Sequence, residues 1–525
     1  MEPSTNKAQV TEIGHLAGGL GPYQLMIVSM VFLRSFPSSW TLTGLEYVAG
    51  DVDHWCAPAD ESFSPEVWKR DFIPPRERCH SFAINNSEID RTRQVACESW
   101  TFNSTLLSSS VEEFKLVCDS SWQKSAIQSN VFVAQIAGAL FSGRLSDRYG
   151  RLPIYMGSTV LFVVFGVLAA FSPSVIIFNV HRFLQCVCIA GLNTCISTLY
   201  AEVSLPKHRS LLNVGFALGF QMPMLFLPSL AGYLHSWRHV QMAMALSAVP
   251  LLPYFFFLQE SPRWLLMRGN FEKARGTLEK ILKFNRMDSS ILEKMPRTAK
   301  RLSGDESNAL KLFSPALFSS TLALFSLWFM CQFSFYASIF TSTRLPGNKS
   351  LNFALTAAAG VAGGALSIVL LRWVRRRRTV GIFLCLSSVS FLILASLPQD
   401  SAVWLHVATA MVLRFTMVVS TGVCWTYSLE VFPTMLRNFG FSCCFCFGRV
   451  GGAIAPFMRD LGEWHPSAPF LVLSLACIVG TLSLPLLPET LNAALPDNLE
   501  ESVQLRRSKK LEHAIAPIKM LNSKK

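Results

Sequence analysis

The sequence predicts an all-α integral membrane protein whose chain crosses the bilayer twelve times. Hydrophobic residues make up 51% of its 525 residues and charged residues only 15%, whereas soluble domains are about one-quarter charged. Twelve segments are long and apolar enough for a spanning helix, which needs about 20 residues. Basic residues are concentrated in alternate connections between these segments, which is typical of a membrane protein with one fixed orientation.

The candidate spans follow one another along the chain, and each is close to the length of a bilayer-crossing helix. They cover residues 23–45, 124–142, 152–171, 174–199, 211–233, 239–258, 315–339, 353–371, 380–397, 403–428, 439–458 and 468–487. The first span begins late, lacks a preceding basic region and is longer than the apolar part of a signal sequence. We therefore expect it to remain in the protein as a span.

Charge predicts the orientation of the spans. The connections on the side of the N-terminus include SGRLSDRYGR, EVSLPKHRS, RWVRRRR and EVFPTMLRN, and nearly all are basic. The largest connection on the other side has acids near its start: Asp51, Asp53, Asp60, Glu61 and Glu66. Because basic loops stay in the cytoplasm, both termini are predicted to be cytoplasmic in a plasma-membrane protein. The formal net charge of +13 does not indicate a nucleic-acid partner, since no soluble domain presents a basic stripe.

These boundaries divide the chain into five regions. They are a cytoplasmic N-terminus (1–22), a six-helix bundle (23–258) with a large extracellular loop (49–122), a cytoplasmic loop (259–312), a second six-helix bundle (313–487) and a cytoplasmic tail (488–525). The segment NFEKARGTLEKILK in the cytoplasmic loop has the apolar spacing of an amphipathic helix. The basic tail is expected to be solvated or to touch lipid headgroups.

The extracellular loop has the features of a segment in an oxidising compartment. Its cysteines are Cys56, Cys79, Cys97 and Cys118. Four such cysteines predict two disulfides, for which three connectivities are possible. Acceptor sequons for N-glycosylation occur at Asn85, Asn103 and Asn348, and all three fall on the predicted outer side. These four loop cysteines show no CxxC or Cys/His spacing typical of zinc, and we expect no metal site.

The two halves of the chain share a pattern that indicates an internal repeat. Glu202 and Arg209 follow the fourth span, and Glu430 and Arg437 follow the tenth span 228 positions later. The same offset carries Asp147 of the SDRYGR loop to residue 375 in the RWVRRRR loop. We therefore expect parallel repeats of six helices.

Four motifs in order give the sequence a family resemblance. GRLSDRYGR (143–151) resembles the loop motif of the major facilitator superfamily. ESPRWLL (260–266), YSLEVFPTMLRN (427–438) and LPETL (487–491) resemble the organic cation, anion and zwitterion transporter family within it. The resemblance covers nearly the whole chain and implies a major facilitator fold, with two six-helix halves around a central cavity and transport by alternating access.

The first motif and the acidic motifs are expected to form a gate. Gly143 and Gly150 permit a close approach and a tight turn between two helices, and Asp147 can bind arginines or cap a helix end. We expect interdomain ion pairs from the neighbouring acids and bases of the other motifs. The expected gating residues are Gly143, Asp147, Arg148, Gly150, Arg151, Glu202, Arg209, Glu260, Arg263, Glu430 and Arg437. Alternatively, these charges only anchor helix ends at the membrane surface.

The expected pairs are Glu202 with Arg209, Glu430 with Arg437 and Glu260 with Arg263. The RWVRRRR loop of the second half has neither the acid nor the glycine of the first-half motif. This difference predicts an asymmetric gate.

Arginines inside the spans are candidates for function, because an ionised side chain at mid-membrane is costly. Arg449 lies about 15 Å into its helix and Arg34 at a similar depth, while Arg414 lies in the outer half of its span. Arg182 is the fourth such residue. We find no aspartate or glutamate near mid-span, so the interior is predicted to be net positive and suited to a carboxylate or sulfate. The alternatives are that these arginines bond to helix carbonyls, snorkel to the surface, or lie outside the true span boundaries.

The resemblance distinguishes these arginines. Arg449 matches the arginine of organic anion members at a position where cation members have an acid. Gly364 stands where anion members have a lysine, and Arg414 matches a basic position shared by both branches. Arg34 is peculiar to this chain.

Aromatic residues in the seventh span, SLWFMCQFSFYASIF, supply the second part of the predicted site. Trp328, Phe335 and Tyr336 are candidates to stack on a planar organic ion, and the last two match cavity aromatics of the family. The alternative is that they only pack against other helices or lipid. The predicted substrate-binding set is therefore Arg449, Arg34, Arg414, Trp328, Phe335 and Tyr336.

Together these features predict a transporter of small organic ions, with a preference for anions, that works by exchange or down a gradient. The sequence has no P-loop and no soluble catalytic domain, so neither an ATP-driven pump nor an enzyme is expected, and no cofactor is expected. Expected partners are small organic ions and membrane lipids. A transporter of cations or zwitterions, and a receptor built on a transporter scaffold that does not itself transport, remain as alternatives.

Overall fold

A computed structural model describes residues 17, 19–50, 52–58, 65–74, 78–85, 88–103, 108–205, 210–288, 292, 312–315, 317–342, 345–398, 401–433 and 436–491. Every expected span coincides with a helical segment in this part of the chain. The first-half segments are α1 (Pro22–Leu33) with α2 (Ser35–Thr43) and α3 (Leu45–Val48), α6 (Trp122–Tyr149), α7 (Arg151–Ala170), α8 (Val175–Val203), α9 (Ser210–Leu234), and α10 (Trp237–Leu246) with a 3₁₀ segment (Val249–Phe256).

The second-half segments follow in the same order. They are α13 (Phe318–Ser342), α14 (Lys349–Trp373), α15 (Arg376–Ser396), α16 (Val403–Val431), α17 (Arg437–Ile454) with a 3₁₀ turn (Ala455–Phe457) and α18 (Met458–Trp464), and α19 (Ala468–Ser483) with a 3₁₀ turn (Leu484–Leu486). The helical membrane fold predicted from the sequence is confirmed for the two bundles.

Ten of these segments are long and apolar enough to cross a membrane, two fewer than the twelve expected. The other two are α6 and α9. Helix α6 contains buried polar side chains, among them Gln128, Gln135 and Ser142, which lower its mean hydropathy. In α9 (Ser210–Leu234) the side chains are described for Leu218–Leu234, an apolar helical stretch.

The first span is continuous from Pro22 to Thr43, with a local irregularity at Arg34. Helix α1 ends at Leu33 and α2 begins at Ser35, with Arg34 as the residue between them. Pro37 lies three residues into α2, and proline cannot donate the helical hydrogen bond to the residue four positions earlier. The irregularity therefore has a local cause, and it lies at an arginine in mid-span.

The two halves pack through two helix pairs. Helix α9 of the first half lies along α14 of the second, and α6 lies along α17. Within the first half α7, α8 and α6 form the main contacts, and within the second half α16 packs against both α14 and α15. A site between the halves is therefore bordered by α6, α9, α14 and α17.

The large loop contains strands that the sequence analysis did not predict. Strand β1 (Asp53–Cys56) pairs antiparallel with β4 (Trp100–Asn103), and β2 (His80–Asn85) pairs antiparallel with β3 (Glu88–Ala96). The short helices α4 (Pro65–Asp71) and α5 (Ser110–Glu113) complete the loop. We call the membrane face that bears this loop the loop face, and the opposite face the basic face.

Two disulfides hold the loop together, as predicted. They join Cys56 to Cys97 and Cys79 to Cys118, which selects one of the three possible connectivities. The end of the loop is bonded to the first half, because Trp237 Nε1 donates to Glu113 Oε2 at 2.9 Å. The loop is thus an extension of the first half.

Part of the segment 259–312 packs against the first half on the basic face. It forms α11 (Pro262–Met267) and the predicted amphipathic helix α12 (Phe271–Phe284), whose buried face includes Leu278, Ile281 and Leu282. Asn285 accepts a hydrogen bond from the Tyr23 amide at 2.8 Å and donates to the Ala17 carbonyl at 3.0 Å. Most of residues 289–311 and the tail after residue 491 lie outside the described residues.

Candidate substrate-binding site and gate

Arg449 lies on α17 with its guanidinium enclosed by aromatic rings. Its Nη1 donates a hydrogen bond to the Tyr336 hydroxyl at 2.6 Å, and its Cζ lies 4.5 Å from the centroid of the Phe445 ring. The residue is 7% exposed, and its Nε has no hydrogen-bond partner among the described atoms. A guanidinium has five N–H donors, so Arg449 keeps donors that a ligand can use.

The glycines around Arg449 allow α17 to approach its neighbours closely. A Cβ at Gly448 would lie 2.9 Å from Trp328, and one at Gly451 would lie 2.5 Å from the Phe329 carbonyl oxygen. A Cβ at Gly452 would lie 2.7 Å from Phe132 of the first half. These positions accommodate helix packing, and this packing places Arg449 at the boundary between the halves.

Tyr336 connects this site to the first half. Its ring meets the Phe132 ring edge to face, with the centroids 4.6 Å apart. Phe335, its neighbour on α13, lies 5.2 Å from it and 6.2 Å from Phe220 of the first half. Two of the seventh-span aromatics predicted from the sequence, Phe335 and Tyr336, therefore lie at the contact between the halves.

Arg414 is held by groups from both halves. Its Nη2 donates to Gln221 Oε1 at 2.7 Å, and its Nη1 lies 3.4 Å from the Phe335 carbonyl oxygen. Its Cζ lies 4.2 Å from the Phe335 ring centroid. Gln221 belongs to α9 in the first half, so the side chain of Arg414 bridges the two bundles.

The other two predicted arginines bond within the first half. Arg34 donates to the Asn193 side-chain oxygen, which also accepts from Ser38 at 3.2 Å. Arg182 donates to Gln241 Oε1 at 2.9 Å and to the Thr41 carbonyl oxygen at 2.7 Å. Arg182 therefore ties three helices of one bundle together.

The buried charge of the described residues is strongly positive. The buried bases are Arg34, Lys124, Arg151, Arg182, Arg414 and Arg449. Glu489 is the one buried carboxylate in this part of the chain, and it lies at the basic face, bonded to the backbone amides of Arg376 and Arg377 at 2.7 and 3.3 Å. The interior near Arg449 and Arg414 thus contains buried cations without a buried carboxylate beside them.

An aromatic cluster lies along α17 next to Arg449. The Trp328 ring centroid lies 5.2 Å from that of Trp425 and 5.5 Å from that of Phe441. Phe445 lies 5.9 Å from Trp425. We call Trp328, Trp425, Phe441 and Phe445 the aromatic cluster.

The basic face carries one ion-pair arrangement in each half. In the first half Arg151 contacts Glu202 at 3.2 Å and Asp147 at 3.0 Å. Glu260 accepts hydrogen bonds from the Arg151 and Leu152 amides at 3.0 and 3.1 Å. Gly150, at φ +109°, leaves room for that carboxylate, because a Cβ there would lie 2.3 Å from Glu260 Oε2.

The second half repeats this arrangement. Arg376 contacts Glu430 through two hydrogen bonds of 3.1 Å, and Glu489 accepts from the Arg376 and Arg377 amides. Thr490 also donates to Glu430, at 2.5 Å. Each half therefore has an arginine at the start of a helix, held by one glutamate through its side chain and by a second through its amide.

The two halves contact each other at the loop face. Ser125 donates to Asp460 Oδ1 at 3.0 Å, and the Tyr47 and Phe353 rings meet edge to face at 5.4 Å. Ser129 donates to the Ala453 carbonyl oxygen. On the basic face, by contrast, the four gate glutamates bond within their own halves. The described conformation is therefore closed at the loop face.

Known proteins share this architecture and sequence. A family model described as "Sugar (and other) transporter" matches residues 82–497. An "Organic cation transporter protein" of Drosophila melanogaster is 30% identical over 516 residues, which cover 93% of each chain. The chain belongs to the organic ion transporter family of the major facilitator superfamily.

Other relatives of this organic ion transporter include one whose name specifies anions. "Solute carrier family 22 member 13" of Homo sapiens is 28% identical over 94% of the chain and 93% of its own length. "Organic anion transporter 3" of Oryctolagus cuniculus is 28% identical over 96% and 95%. Family and fold are those of transporters and not of enzymes.

A solved structure supports the fold of the organic ion transporter. The inward-open conformation of the xylose transporter XylE from E. coli matches with a TM-score of 0.59 and 16% identity, over 91% of this chain and 99% of the other. At this identity the match establishes the fold alone. Both proteins have the major facilitator architecture.

Two ion pairs expected in the transporter's gate differ from those observed, and the third involves a residue outside the described part of the chain. Glu430 pairs with Arg376 instead of Arg437, whose Nε donates to the Phe432 carbonyl oxygen at 3.3 Å. The reason is that α16 ends at Val431 and Pro433 follows, so Arg437 belongs to the next helix.

The two remaining pairs lie in the first half. Glu260 caps α7 and forms no salt bridge with Arg263 in the described structure. Glu202 pairs with Arg151, and Arg209 lies outside the described residues. The sequence spacing favoured arginine partners a few residues from each glutamate. In the structure, Glu202 and Glu430 instead pair with arginines on other helices.

Other gate residues take different positions. A Cβ at Gly143 would meet nothing within 4 Å, so the close approach expected there is absent from this conformation. Arg148 lies over the Tyr149 ring at 5.3 Å, and its carbonyl accepts from Arg268 at 2.9 Å. The expected asymmetry of the gate is also wrong in one respect, because the arginine with two glutamates recurs in both halves.

Sequence analysis missed several residues of the site. Gln221, Trp425, Phe441 and Phe445 were not predicted, although Phe441 and Phe445 precede Arg449 at intervals of four residues. That spacing places all three on one face of a helix and was a usable signal. Gln221 and Asn193, which accept hydrogen bonds from Arg414 and Arg34, gave no such signal in the sequence, because each is a single amide on a different span.

Proposed function

We propose that the protein transports small organic anions across the plasma membrane by alternating access, with Arg449 binding the carboxylate or sulfate. The observation that supports this proposal is the buried guanidinium of Arg449, held by Tyr336 and Phe445 at the boundary between the halves. A carboxylate accepts two parallel hydrogen bonds from one guanidinium. Arg449 uses one donor on Tyr336 and has others available.

Arg414 and Arg34 contribute to the same site through the electrostatic potential of their positive charges. Arg414 is bonded to Gln221 and stacked on Phe335, so it is less available for direct contact with a ligand than Arg449. Its charge still acts at short range in a medium of low dielectric constant. The buried bases together favour an anion over a cation at the centre of the protein.

The position of Arg449 also explains how binding couples to movement. Tyr336 touches Phe132 of the first half, so a ligand on Arg449 lies where the halves separate or close. The loop face is closed in this structure, and opening it requires the Ser125–Asp460 contact to break. In the alternative state, with the loop face open, the gate arrangements hold the two halves together at the basic face. The driving force for transport is exchange of substrates or a substrate gradient.

The orientation rests on independent features. Disulfides form in oxidising compartments, so the loop face is assigned to the outside and the basic face to the cytoplasm. Asn103 and Asn348 are exposed at the loop face and remain predicted glycosylation sites, as does Asn85. This orientation agrees with the concentration of arginine on the basic face.

A zwitterion is the second candidate substrate. The aromatic cluster adjoins Arg449, and aromatic faces attract quaternary ammonium groups. A molecule with a carboxylate and a quaternary ammonium would place the first on Arg449 and the second on the cluster. Relatives named for cations and for anions both align over nearly the whole chain.

Flux in proteoliposomes tests the proposal. Wild type, Arg449→Ala and Arg449→Lys are reconstituted and offered an aromatic carboxylate, an aryl sulfate, a quaternary ammonium cation and a betaine. We expect saturable anion uptake that falls more than about tenfold in Arg449→Ala, since removing a charged hydrogen bond costs about 1.5–3 kcal/mol. Saturable binding without flux would show a receptor instead. Cation uptake that survives Arg449→Ala, with no anion uptake by the wild type, would overturn the anion proposal.

A further inference from the structure

The RWVRRRR connection on the basic face contains more arginine than the gate uses. Arg376 bonds to Glu430, whereas the side chains of Arg372, Arg375 and Arg378 are exposed. None of these three forms a salt bridge with a described carboxylate. Trp373, beside them, is 79% exposed, which is typical of a tryptophan at a membrane–water interface.

A shallow, open apolar depression, which we call the groove, begins at this basic cluster and follows the outer surface of α15. Its volume is about 480 Å³, and it is lined by Arg378, Gly381, Ile382, Cys385, Leu386 and Val389. Arg378 lies at one end and Val389 at the other, about 16 Å apart at 1.5 Å per residue. That length equals about half of a 30 Å hydrocarbon core, which is the depth of one lipid leaflet.

We propose that this surface binds one anionic phospholipid from the leaflet at the basic face. Its phosphate-bearing headgroup contacts Arg372, Arg375 and Arg378, and one acyl chain lies in the groove. Charge complementarity selects this occupant, because three exposed guanidiniums stand at headgroup level and the groove below them is apolar. Basic pockets between spans on the cytoplasmic side favour anionic headgroups.

The first half differs at the matching connection. Its corresponding loop contains Asp147, whose carboxylate contacts Arg151, and the main chain around it is covered by Arg268 and Trp264. In the second half Arg375 stands at the position that matches Asp147, and the transport gate does not require this arginine. Binding of a lipid headgroup gives it a role. Lipid bound there would contact α14 and α15 of the second half only.

Native mass spectrometry of the purified full-length chain tests the proposal without any transport substrate, so its outcome is independent of the proposed function. The probes are phosphatidylinositol 4,5-bisphosphate, phosphatidylserine and phosphatidylcholine. Each basic residue contributes about fivefold to the affinity for an anionic headgroup. We expect Arg372→Gln/Arg375→Gln/Arg378→Gln to weaken the binding of both anionic lipids about a hundredfold and to leave phosphatidylcholine unchanged.

Matched variants separate this site from other sources of positive charge. Lys273→Gln/Lys280→Gln removes two exposed charges from α12 on the same face and should leave binding unchanged. Cys385→Phe fills the groove and should weaken lipid binding, but not the weaker binding of soluble inositol trisphosphate. All the substituted side chains are exposed, and the elution profile of each variant reports its fold.

Three results would overturn the proposal. The first is wild-type affinity of the triple arginine variant for the anionic lipids. The second is equal affinity for phosphatidylinositol 4,5-bisphosphate and soluble inositol trisphosphate, which would exclude a role for the groove. The third is loss of binding when the chain is truncated after Leu491, because the lipid would then be bound by the basic tail.

Discussion

Arg414 on α16 donates a hydrogen bond to Gln221 on α9 at 2.7 Å, and this bond joins the two halves of the transporter inside the membrane. Both side chains are at most 3% exposed. Gln221 also fills the space beside Gly360 on α14, where a Cβ would lie 2.6 Å from its Oε1. One amide therefore accepts a hydrogen bond from a buried cation and packs the contact between the bundles.

Replacing Gln221 by leucine should destabilise the closed loop-face state, because it removes the shortest hydrogen bond of buried Arg414. Loss of such a bond to a charged group costs about 1.5–3 kcal/mol. We expect a lower melting temperature in Gln221→Leu, measured in detergent. The double variant Gln221→Leu/Arg414→Leu should recover part of the loss, because replacing both partners removes the buried charge. Additive losses in the double variant would contradict this coupling.

Tyr336 should orient Arg449 for the substrate through its hydroxyl. Tyr336→Phe keeps the ring contact with Phe132 and removes only the 2.6 Å hydrogen bond. We expect KM for an organic anion to rise roughly tenfold with a smaller change in kcat, since a bond to a charged group is lost. Tyr233→Phe is the control, because Tyr233 is 81% exposed. An unchanged KM in Tyr336→Phe would show that Arg449 is positioned by other groups.

The spans and the buried arginines could be predicted from sequence, whereas their partners could not. Hydropathy alone identifies a helix in lipid, and an arginine such as Arg449 is conspicuous in an apolar run. Its partner Tyr336 lies 113 residues away, and the Gln221–Arg414 pair is separated by 193 residues. Single polar residues on different helices leave no periodic signal. The loop strands escaped prediction for a different reason, because the positions of cysteines and sequons do not indicate the pairing register of β1 to β4.

The gate shows a related limit of sequence spacing. Glu430 and Arg437 are seven residues apart, yet the partner of Glu430 is Arg376, which begins α15. The repeat itself was detectable from the matched glutamates. Its full form appears only when Glu260 and Glu489 are seen to accept from the first amides of α7 and α15.

The two gate arrangements should contribute similarly to transport. Glu202→Gln and Glu430→Gln each remove the charge that faces Arg151 or Arg376. We expect both variants to slow flux at least several-fold while substrate binding stays within about twofold, since neither glutamate lies near Arg449. Glu279→Gln, which alters only the exposed pair with Arg275, is the control. Strong loss in one half with none in the other would refute the symmetry.

Gly452 should be essential for closing the loop face. A Cβ there would lie 2.7 Å from Phe132 and 3.1 Å from Tyr336, and contacts under 3 Å force the helices apart. Gly452→Leu should therefore prevent the halves from meeting, and we expect flux to fall by more than about tenfold. Gly232→Leu is the matched control, because a Cβ at Gly232 meets nothing within 4 Å.

Accessibility separates this effect from misfolding. If Gly452→Leu holds the loop face open, a cysteine introduced at Ser125 should react faster with an impermeant maleimide in the Gly452→Leu background than in wild type, where Ser125 bonds to Asp460. Equal labelling rates together with lost flux would point to damage elsewhere. Normal flux in Gly452→Leu would show that the halves can close without the Gly452–Phe132 contact, and the loop-face closure would then depend on the contacts of Ser125, Ser129 and Tyr47.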